Sequence, residues 1–257
     1  MRYTFSQRLQ SVRHALSFAI SRRLPGARRE KREAPAGTLT GLNDDEATGI
    51  AALRARYHCD FAVSLNARSA RNNYAYLAAL DSAFAELKQL PPRDARLVDV
   101  GSANFWYAAA LQAFFRPRQL TGVEFDGYRR LQDGHTRHDA ALGHVATLPG
   151  AAYLVADYTT LRQPAEVITA WFPFVTAAPL LAWRLPLSTL QPAALFASVR
   201  RNLQPNGCFV MINRMAEAEA AGRYAASAGL RQLGASVLTL ELVEGPQAIT
   251  VSIWRAN

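Results

Sequence analysis

The sequence has few cysteines and no apolar run long enough to cross a membrane. Only two cysteines occur among the 257 residues, Cys59 and Cys208, and they lie far apart. Because disulfide frameworks and zinc sites need more cysteines at closer spacing, we expect neither, and predict two buried thiols in a reducing cytoplasm. The nearest candidate for a membrane span, Val167–Trp183, contains Pro173 and Pro179 and is shorter than the ~20 apolar residues that a spanning helix needs. It predicts a buried strand followed by a loop.

Acidic residues are absent from the first 29 positions. The whole chain carries 29 Lys and Arg against 20 Asp and Glu, a net charge of +9. Residues 1–33 hold nine of these basic residues and two acidic ones, so they account for +7 of the total. The basic excess therefore describes an N-terminal arm, and the rest of the chain is close to neutral.

The arm predicts an amphipathic helix, because its apolar residues recur at helical spacing. These residues are Phe5, Leu9, Val12, Leu16, Ala19 and Ile20. Such a helix suits an anionic membrane surface, and an acid-free segment rich in Arg and Ser is also typical of an organellar transit peptide. A solvated arm, a helix packed on its own domain and a nucleic-acid contact are the alternatives.

Composition divides the chain into three segments. Residues 1–33 are the basic amphipathic arm, residues 34–90 predict a helical cap segment, and residues 91–257 alternate between strands and helices. Pro91 and Pro92 end the last helix of the cap. A polar and aromatic cluster precedes that helix and suggests either a lid over a bound ligand or a capped helix start. It comprises Asn66, Arg68, Arg71, Asn72, Asn73, Tyr74 and Tyr76.

The alternation after residue 91 predicts an α/β fold with a parallel sheet and helices on both of its faces. Seven strands are predicted, and the last two should form an antiparallel hairpin because only a short turn separates them. The predicted strands are Leu97–Val100, Leu120–Phe125, Tyr153–Ala156, Val167–Ala170, Cys208–Ile212, Ser236–Leu242 and Ala248–Trp254. The predicted helices are Asn104–Phe115, Tyr128–Ala146, Leu190–Leu203 and an Ala-rich run after Asn213 that reaches about Leu233.

The strongest functional signal joins the first two strands of this sheet. Asp99 stands two residues before Gly101, and Glu124 stands at the end of the next strand. Glycine lets a ligand approach the backbone closely, and a carboxylate at the end of a neighbouring parallel strand can accept hydrogen bonds from both ribose hydroxyls. This arrangement predicts a cofactor that carries a nucleoside.

From residue 91 onward the sequence resembles the class I S-adenosylmethionine-dependent methyltransferases, and within them a bacterial subgroup. The resemblance rests on four short motifs in order. They are Val98-Asp99-Val100-Gly101, Gly122-Val123-Glu124-Phe125, Val155-Ala156-Asp157-Tyr158 and the Leu203-Gln204-Pro205-Asn206-Gly207 turn before the fifth strand. It implies a Rossmann-like seven-stranded sheet and S-adenosylmethionine as cofactor.

The resemblance also implies roles for individual residues. Gly101, Ser102 and Asn104 would approach the methionine part of the cofactor, and Asp99 would orient their loop. Glu124 would hold the ribose hydroxyls. Phe125 would pack on the adenine and Asp157 would accept from its amino group, with Tyr158 beside it. No catalytic base and no metal site follow from the resemblance.

Two departures from the family pattern matter. The usual Gly-x-Gly-x-Gly run is here Gly101-Ser102-Ala103-Asn104-Phe105, with a bulky ring at the third glycine position. The Asn/Asp-Pro-Pro-Tyr signature of enzymes that methylate nucleic-acid amino groups is replaced by Ala170-Trp171-Phe172-Pro173-Phe174, whose aromatic residues suit either the core or a substrate wall.

These features predict a methyltransferase that acts on an unidentified acceptor, in the cytoplasm or at the inner face of a membrane. Residues 1–33 allow an anionic membrane surface as a partner, and they allow a nucleic acid as well. The alternative is a catalytically degenerate methyltransferase fold that works as a membrane-surface or partner-binding module. A nicotinamide-dependent oxidoreductase is disfavoured, because the residues after Gly101 do not fit the G-x-G-x-x-G fingerprint.

Overall fold

The computed structural model describes residues 3–23 and 29–256. Seven strands of these residues form one sheet. They are β1 Arg96–Val100, β2 Gln119–Glu124, β3 Ala151–Val155, β4 Ala165–Trp171, β5 Leu203–Arg214, β6 Leu230–Leu242 and β7 Gly245–Ala256. Their spatial order is β3-β2-β1-β4-β5-β7-β6. The first five strands run parallel, and β7 pairs antiparallel with both β5 and β6. The predicted α/β sheet with a terminal hairpin is therefore confirmed.

The described residues also form eight α-helices. They are α1 Phe5–Arg23, α2 Asp44–Tyr57, α3 Ala67–Glu86, α4 Ala108–Phe115, α5 Arg137–Val145, α6 Ala177–Ala182, α7 Pro192–Asn202 and α8 Met215–Ser227. Leu97 and Leu120 belong to the core cluster that contains α3 and α4, whereas Val98 and Val123 pack with residues of α7 and α8. Helices thus cover both faces of the sheet. Among the residues described, no helix is both long and apolar enough to cross a bilayer.

Two of the predicted helices were too long. The helix predicted over Tyr128–Ala146 is wrong in its first half, because α5 begins only at Arg137. Thr136 caps α5, since its hydroxyl accepts from the Asp139 amide at 3.1 Å while the Asp139 carboxylate accepts from the Thr136 amide at 2.8 Å. The Ala-rich helix predicted to Leu233 ends at Ser227, because Gly229 adopts a φ of +82° and leads into β6.

The first predicted helix of the sheet domain also begins later than expected. The prediction placed its start at Asn104, whereas α4 starts at Ala108. Ala103 and Phe105 take left-handed φ values of +50° and +56°, which no α-helix tolerates. The turn after β1 is therefore a loop of its own.

Residues 29–33, the strap, tie two helices together ahead of α2. The Arg29 amide donates to the Asp139 carboxylate at 3.0 Å, and the Lys31 amide donates to the Asp139 carbonyl at 2.9 Å. The Glu33 carboxylate accepts from the Ser69 hydroxyl at 2.7 Å, at the start of α3. The strap therefore links α5 to α3.

Gly143 gives the first testable prediction, because a Cβ at this position of α5 would lie 1.8 Å from the Lys31 carbonyl oxygen. In Gly143→Ala the strap must move off α5, so we expect a loss of ~2 kcal/mol of unfolding free energy and faster amide exchange at Lys31. The matched control is Gly49→Ala in α2, where a new Cβ meets nothing within 4 Å. Helix propensity should make that variant more stable by ~0.5–1 kcal/mol. Equal effects of the two substitutions on chemical denaturation would contradict this account of the strap.

Candidate functional site

Strand register places the two main candidate residues side by side. In the parallel pair of β1 and β2, Val100 lies opposite Val123. The next residues along each strand, Gly101 and Glu124, therefore meet at the carboxyl edge of the sheet. The Gly101 amide donates to the Val123 carbonyl at 2.9 Å, which continues the strand pairing into the loop.

Gly101 leaves open space above the backbone. It is exposed, its φ is +77°, and a Cβ added to it would meet no atom within 4 Å. The positive φ explains why glycine stands here, since an L side chain adopts this conformation only at a cost. The open space is where a ligand can reach the main chain.

The side chain of Phe105, at the third glycine position, points into the core. Phe105 keeps the left-handed backbone of a glycine, with a φ of +56°, yet its ring is fully buried. The ring fills the place of a missing side chain on β2, because a Cβ on Gly122 would lie 2.7 Å from the Phe105 ring. Gly122 thus accommodates Phe105, and the ring does not occupy the open space above Gly101.

Two side chains hold the peptide groups of Ala103 on either side. The Ala103 amide donates to the Glu124 carboxylate at 2.9 Å, and the Ala103 carbonyl accepts from the Tyr153 hydroxyl. Tyr153 lies opposite Gly122 in the pair of β2 and β3. Sequence reasoning missed its role, because only the register between β2 and β3 places Tyr153 on the same face as Gly122 and Glu124.

Glu124 is a buried carboxylate in a polar setting. One of its oxygens accepts from the Ala103 amide and the other from the Asp126 amide, the latter at 2.8 Å. Burial raises the pKa of Glu124, whereas the positive charge of Arg137 and the two amide hydrogen bonds lower it. Arg137 itself contacts the buried carboxylate of Asp126 at 3.4 Å. The end of β2 therefore holds two acids with basic partners close by.

Asp99 is fully buried beneath the loop. Its two oxygens accept from the Thr169 hydroxyl at 2.5 Å and from the Tyr107 hydroxyl at 2.7 Å. Burial raises the pKa of the Asp99 carboxyl to about 7, although both hydroxyl hydrogen bonds lower it. Asp99 thus joins β1, β4 and the residue before α4.

The remaining residues of the predicted loop lie around this centre. Ser102 is buried, and its hydroxyl approaches the Asp99 carbonyl at 3.4 Å, whereas Asn104 is half-buried. Phe125 is half-buried as well, and its ring centroid lies 5.6 Å from that of Phe18 in α1. The structure therefore brings Asp99, Gly101 and Glu124 together, with α1 beside the predicted adenine-binding residue.

Asp157 and Tyr158, the two residues predicted at the end of β3, lie in different surroundings. Asp157 is exposed, and its Oδ1 accepts from the Thr159 amide at 2.9 Å and the Thr159 hydroxyl at 2.7 Å, so it caps a turn. Tyr158 packs in the core on the other face of the sheet, in the cluster that includes Phe196. Burial raises the pKa of Tyr158 to about 12. The structure does not bring Tyr158 to the face that carries Glu124.

An aromatic cluster connects α3 to the ends of β1 and β4. The Tyr76 ring lies 4.1 Å from Trp171, 4.9 Å from Trp106 and 5.2 Å from Tyr107, centroid to centroid. Asn73 of the same helix donates to the Trp106 carbonyl at 2.9 Å and accepts from the Ala110 amide at 2.9 Å. The inner side of α3 therefore supports the loop after β1.

The other residues of the polar cluster, which the sequence analysis predicts as a possible lid, bond to groups of the protein itself. Asn66 caps α3, since its side chain accepts from the Ser69 amide at 2.9 Å. Arg71 pairs with Glu46, and Arg68 pairs with Glu244. These residues fasten α3 to its neighbours.

The raised pKa of Asp99 predicts a pH dependence of stability. The folded state keeps the proton up to a pH of about 7, whereas an unfolded Asp ionises near its ordinary value of 3.8. Between those values the folded protein binds the extra proton, so rising pH lowers the free energy of unfolding, by at most about 1.4 kcal/mol per pH unit. Asp99→Asn mimics the protonated acid and should remove this slope.

Chemical denaturation of wild type and Asp99→Asn at several pH values from 4 to above 7 measures the effect. This pH range spans the unfolded and folded pKa values of Asp99. A second variant, Tyr107→Phe, removes a hydrogen bond that lowers the pKa of Asp99, and should move the slope to higher pH. Parallel stability profiles for wild type and Asp99→Asn would show that Asp99 titrates elsewhere.

Comparisons with known proteins add evidence on the fold. No model of a known protein family matches the chain, and no curated protein matches it. Among solved structures, a candidate RNA methyltransferase from Pyrococcus horikoshii aligns with a TM-score of 0.50 at 9% identity, over 73% of this chain and 85% of that one. The glycopeptide N-methyltransferase MtfA, in complex with sinefungin, aligns with a TM-score of 0.50 at 10% identity, over 71% of this chain and 94% of that one.

At identities of 9% and 10% the likeness supports a shared fold, and it gives no information on the substrate of this chain. Both alignments extend over more than two thirds of this chain. The chain therefore has the Rossmann-like fold of class I methyltransferases.

Proposed function

We propose that this chain is an S-adenosylmethionine-dependent methyltransferase. The observation that carries the proposal is the meeting of Gly101 and Glu124 at the carboxyl edge of β1 and β2, with open space above Gly101. In open α/β sheets, ligands bind outside the carboxyl ends of the strands. The fold shared with methyltransferases supports the choice of cofactor.

The residues present fit this cofactor. Each Glu124 oxygen already accepts one backbone amide, and an ionised carboxylate offers about four lone-pair sites. About two sites thus remain for the hydroxyls of a ribose. Phe125 lies next to Glu124 and offers an aromatic face for the adenine, with Asp157 as an acceptor for its amino group. Gly101, Ser102 and Asn104 would lie along the methionine part.

When bound, the cofactor supplies a methyl group for in-line transfer, in which a nucleophile of the acceptor displaces the positively charged sulfur from the methyl carbon. The protein has to hold the two reactants at attack distance and keep water away. Asp99 acts as a positioning residue here, because its bond to Tyr107 holds the end of the loop on β1 and its bond to Thr169 ties β1 to β4. Phe172, half-buried just after β4, would form part of the wall that receives the acceptor, whereas Trp171 packs in the core against Tyr76.

Cofactor binding by the full-length chain tests the proposal directly. Calorimetric titration with S-adenosylhomocysteine should give micromolar affinity. In Glu124→Gln the affinity should fall ~10-fold or more, about 1.4 kcal/mol, because an amide cannot accept both backbone amides and both hydroxyls. NADH should show no binding, since the loop lacks the dinucleotide fingerprint.

The matched control is the same substitution at the opposite edge of the sheet. Glu166 lies near the start of β4, where it accepts from the Arg96 amide at 2.8 Å and from Arg118 at 2.7 Å. Glu166→Gln should bind S-adenosylhomocysteine like the wild type. Absence of binding by the folded wild-type chain would overturn the proposal in favour of the alternative, a methyltransferase fold that serves as a binding module.

A further inference from the structure

Helix α1 turns its polar side toward the rest of the protein. Among the α1 side chains whose burial is described, up to Ser21, the partly buried positions lie three or four residues apart, so they form one face. They are Gln7, Ser11, His14, Phe18 and Ser21. The Ser11 hydroxyl accepts from the Leu187 amide at 2.9 Å, and Phe18 packs on Phe125. This inner face fixes which side of α1 points to solvent.

The opposite side of α1 is apolar and exposed. Its large side chains are between 56% and 83% exposed, and we call them the outer face. They are Phe5, Leu9, Val12, Leu16 and Ile20. A helix at the surface of a globular domain normally buries such a stripe, and a contiguous apolar patch on a surface marks an interaction site. The outer face therefore calls for a partner.

Arginines border this outer face on both sides. At about 100° per residue, Arg8 lies on one border of the apolar stripe and Arg13 on the other, and both are exposed. Residues 1–29 contain seven arginines and no acidic residue. Long arginine side chains beside an apolar stripe can reach phosphate groups while the stripe enters the acyl boundary.

We propose that the outer face of α1 lies on an anionic phospholipid surface. Charge selects this partner over a second copy of the chain. Two outer faces packed together would bring the arginines of both copies close, with no acidic residue in residues 1–29 to offset them. Anionic lipid headgroups would neutralise the same arginines.

This docking would also orient the candidate site. Because the inner face of α1 contacts Phe125, the helix would lie between the lipid surface and the turn that follows β2. The nucleoside end of the site would then sit close to the membrane. That consequence rests on the proposed function, whereas the lipid contact itself does not.

Vesicle flotation of the full-length chain tests the inference. The wild type should float with phosphatidylcholine vesicles that contain phosphatidylglycerol, bind pure phosphatidylcholine much more weakly, and lose binding as salt rises. Replacing Leu9, Val12 and Leu16 together by serine should lower the affinity ~100-fold or more. Arg8→Gln and Arg13→Gln should each lower it about fivefold.

The control makes the same kind of substitution, an exposed apolar residue replaced by serine, outside α1. Leu90→Ser and Val237→Ser alter side chains that are 90% and 62% exposed, and this double variant should float like the wild type. The triple serine variant should still bind S-adenosylhomocysteine with wild-type affinity, which separates this inference from the proposed function.

Three results would overturn the lipid contact. They are equal binding to neutral and anionic vesicles, unchanged flotation of the triple serine variant, and a wild-type dimer that the triple variant converts to a monomer without any vesicle binding. The last result would assign the outer face to a second copy.

Discussion

The candidate site depends on how the loop after β1 is held. Ala103 and Phe105 adopt left-handed backbone angles that cost roughly 1 kcal/mol or more each for residues with a side chain. The loop keeps this path because Glu124 accepts the Ala103 amide and Tyr153 donates to the Ala103 carbonyl. A hydrogen bond to a buried charged group is worth about 1.5–3 kcal/mol, so these contacts can offset the strain. The same carboxylate that would bind a ribose therefore also shapes the loop.

The pairing of Phe105 with Gly122 shows how a bulky residue can stand where the family pattern has a glycine. Phe105 stands at the third glycine position and adopts a left-handed φ. The ring needs space on the neighbouring strand, and the bare backbone at Gly122 supplies it. Read along the sequence alone, Phe105 resembles an obstruction to the cofactor. The strand register, which puts Gly122 within reach, makes it part of the core.

Local patterns predicted the sheet better than they predicted the site. Short apolar strands bounded by turn residues indicated all seven strands and the terminal hairpin, because both depend on neighbouring residues in the chain. The starts were less accurate, since β5 begins at Leu203 and β6 at Leu230, ahead of the predicted Cys208 and Ser236. Helix starts and ends were less predictable. Arg137 begins α5 because Thr136 and Asp139 form a reciprocal cap, and nothing in the hydrophobic spacing of the preceding residues shows where the helix begins.

The site residues divide in the same way. The convergence of Asp99, Gly101 and Glu124 could be predicted because strand ends in a parallel sheet meet at one edge. Tyr153 reaches the loop from β3 and Thr169 reaches Asp99 from β4, so both contacts depend on register between strands that are distant in sequence. Tyr158 shows the converse, since it stands beside Asp157 in the sequence but packs in the core on the opposite face.

Helix α1 shows what hydrophobic periodicity can and cannot predict. Spacing predicts both the helix and its apolar stripe, and the structure contains both. Periodicity does not say which side of the helix faces the domain, since that depends on what the domain offers. Here the domain offers the Leu187 amide and the Phe125 ring, and these suit the small polar residues and Phe18 of the inner face. The apolar stripe is left outside between two arginines, which is the arrangement that an anionic interface stabilises and that water does not.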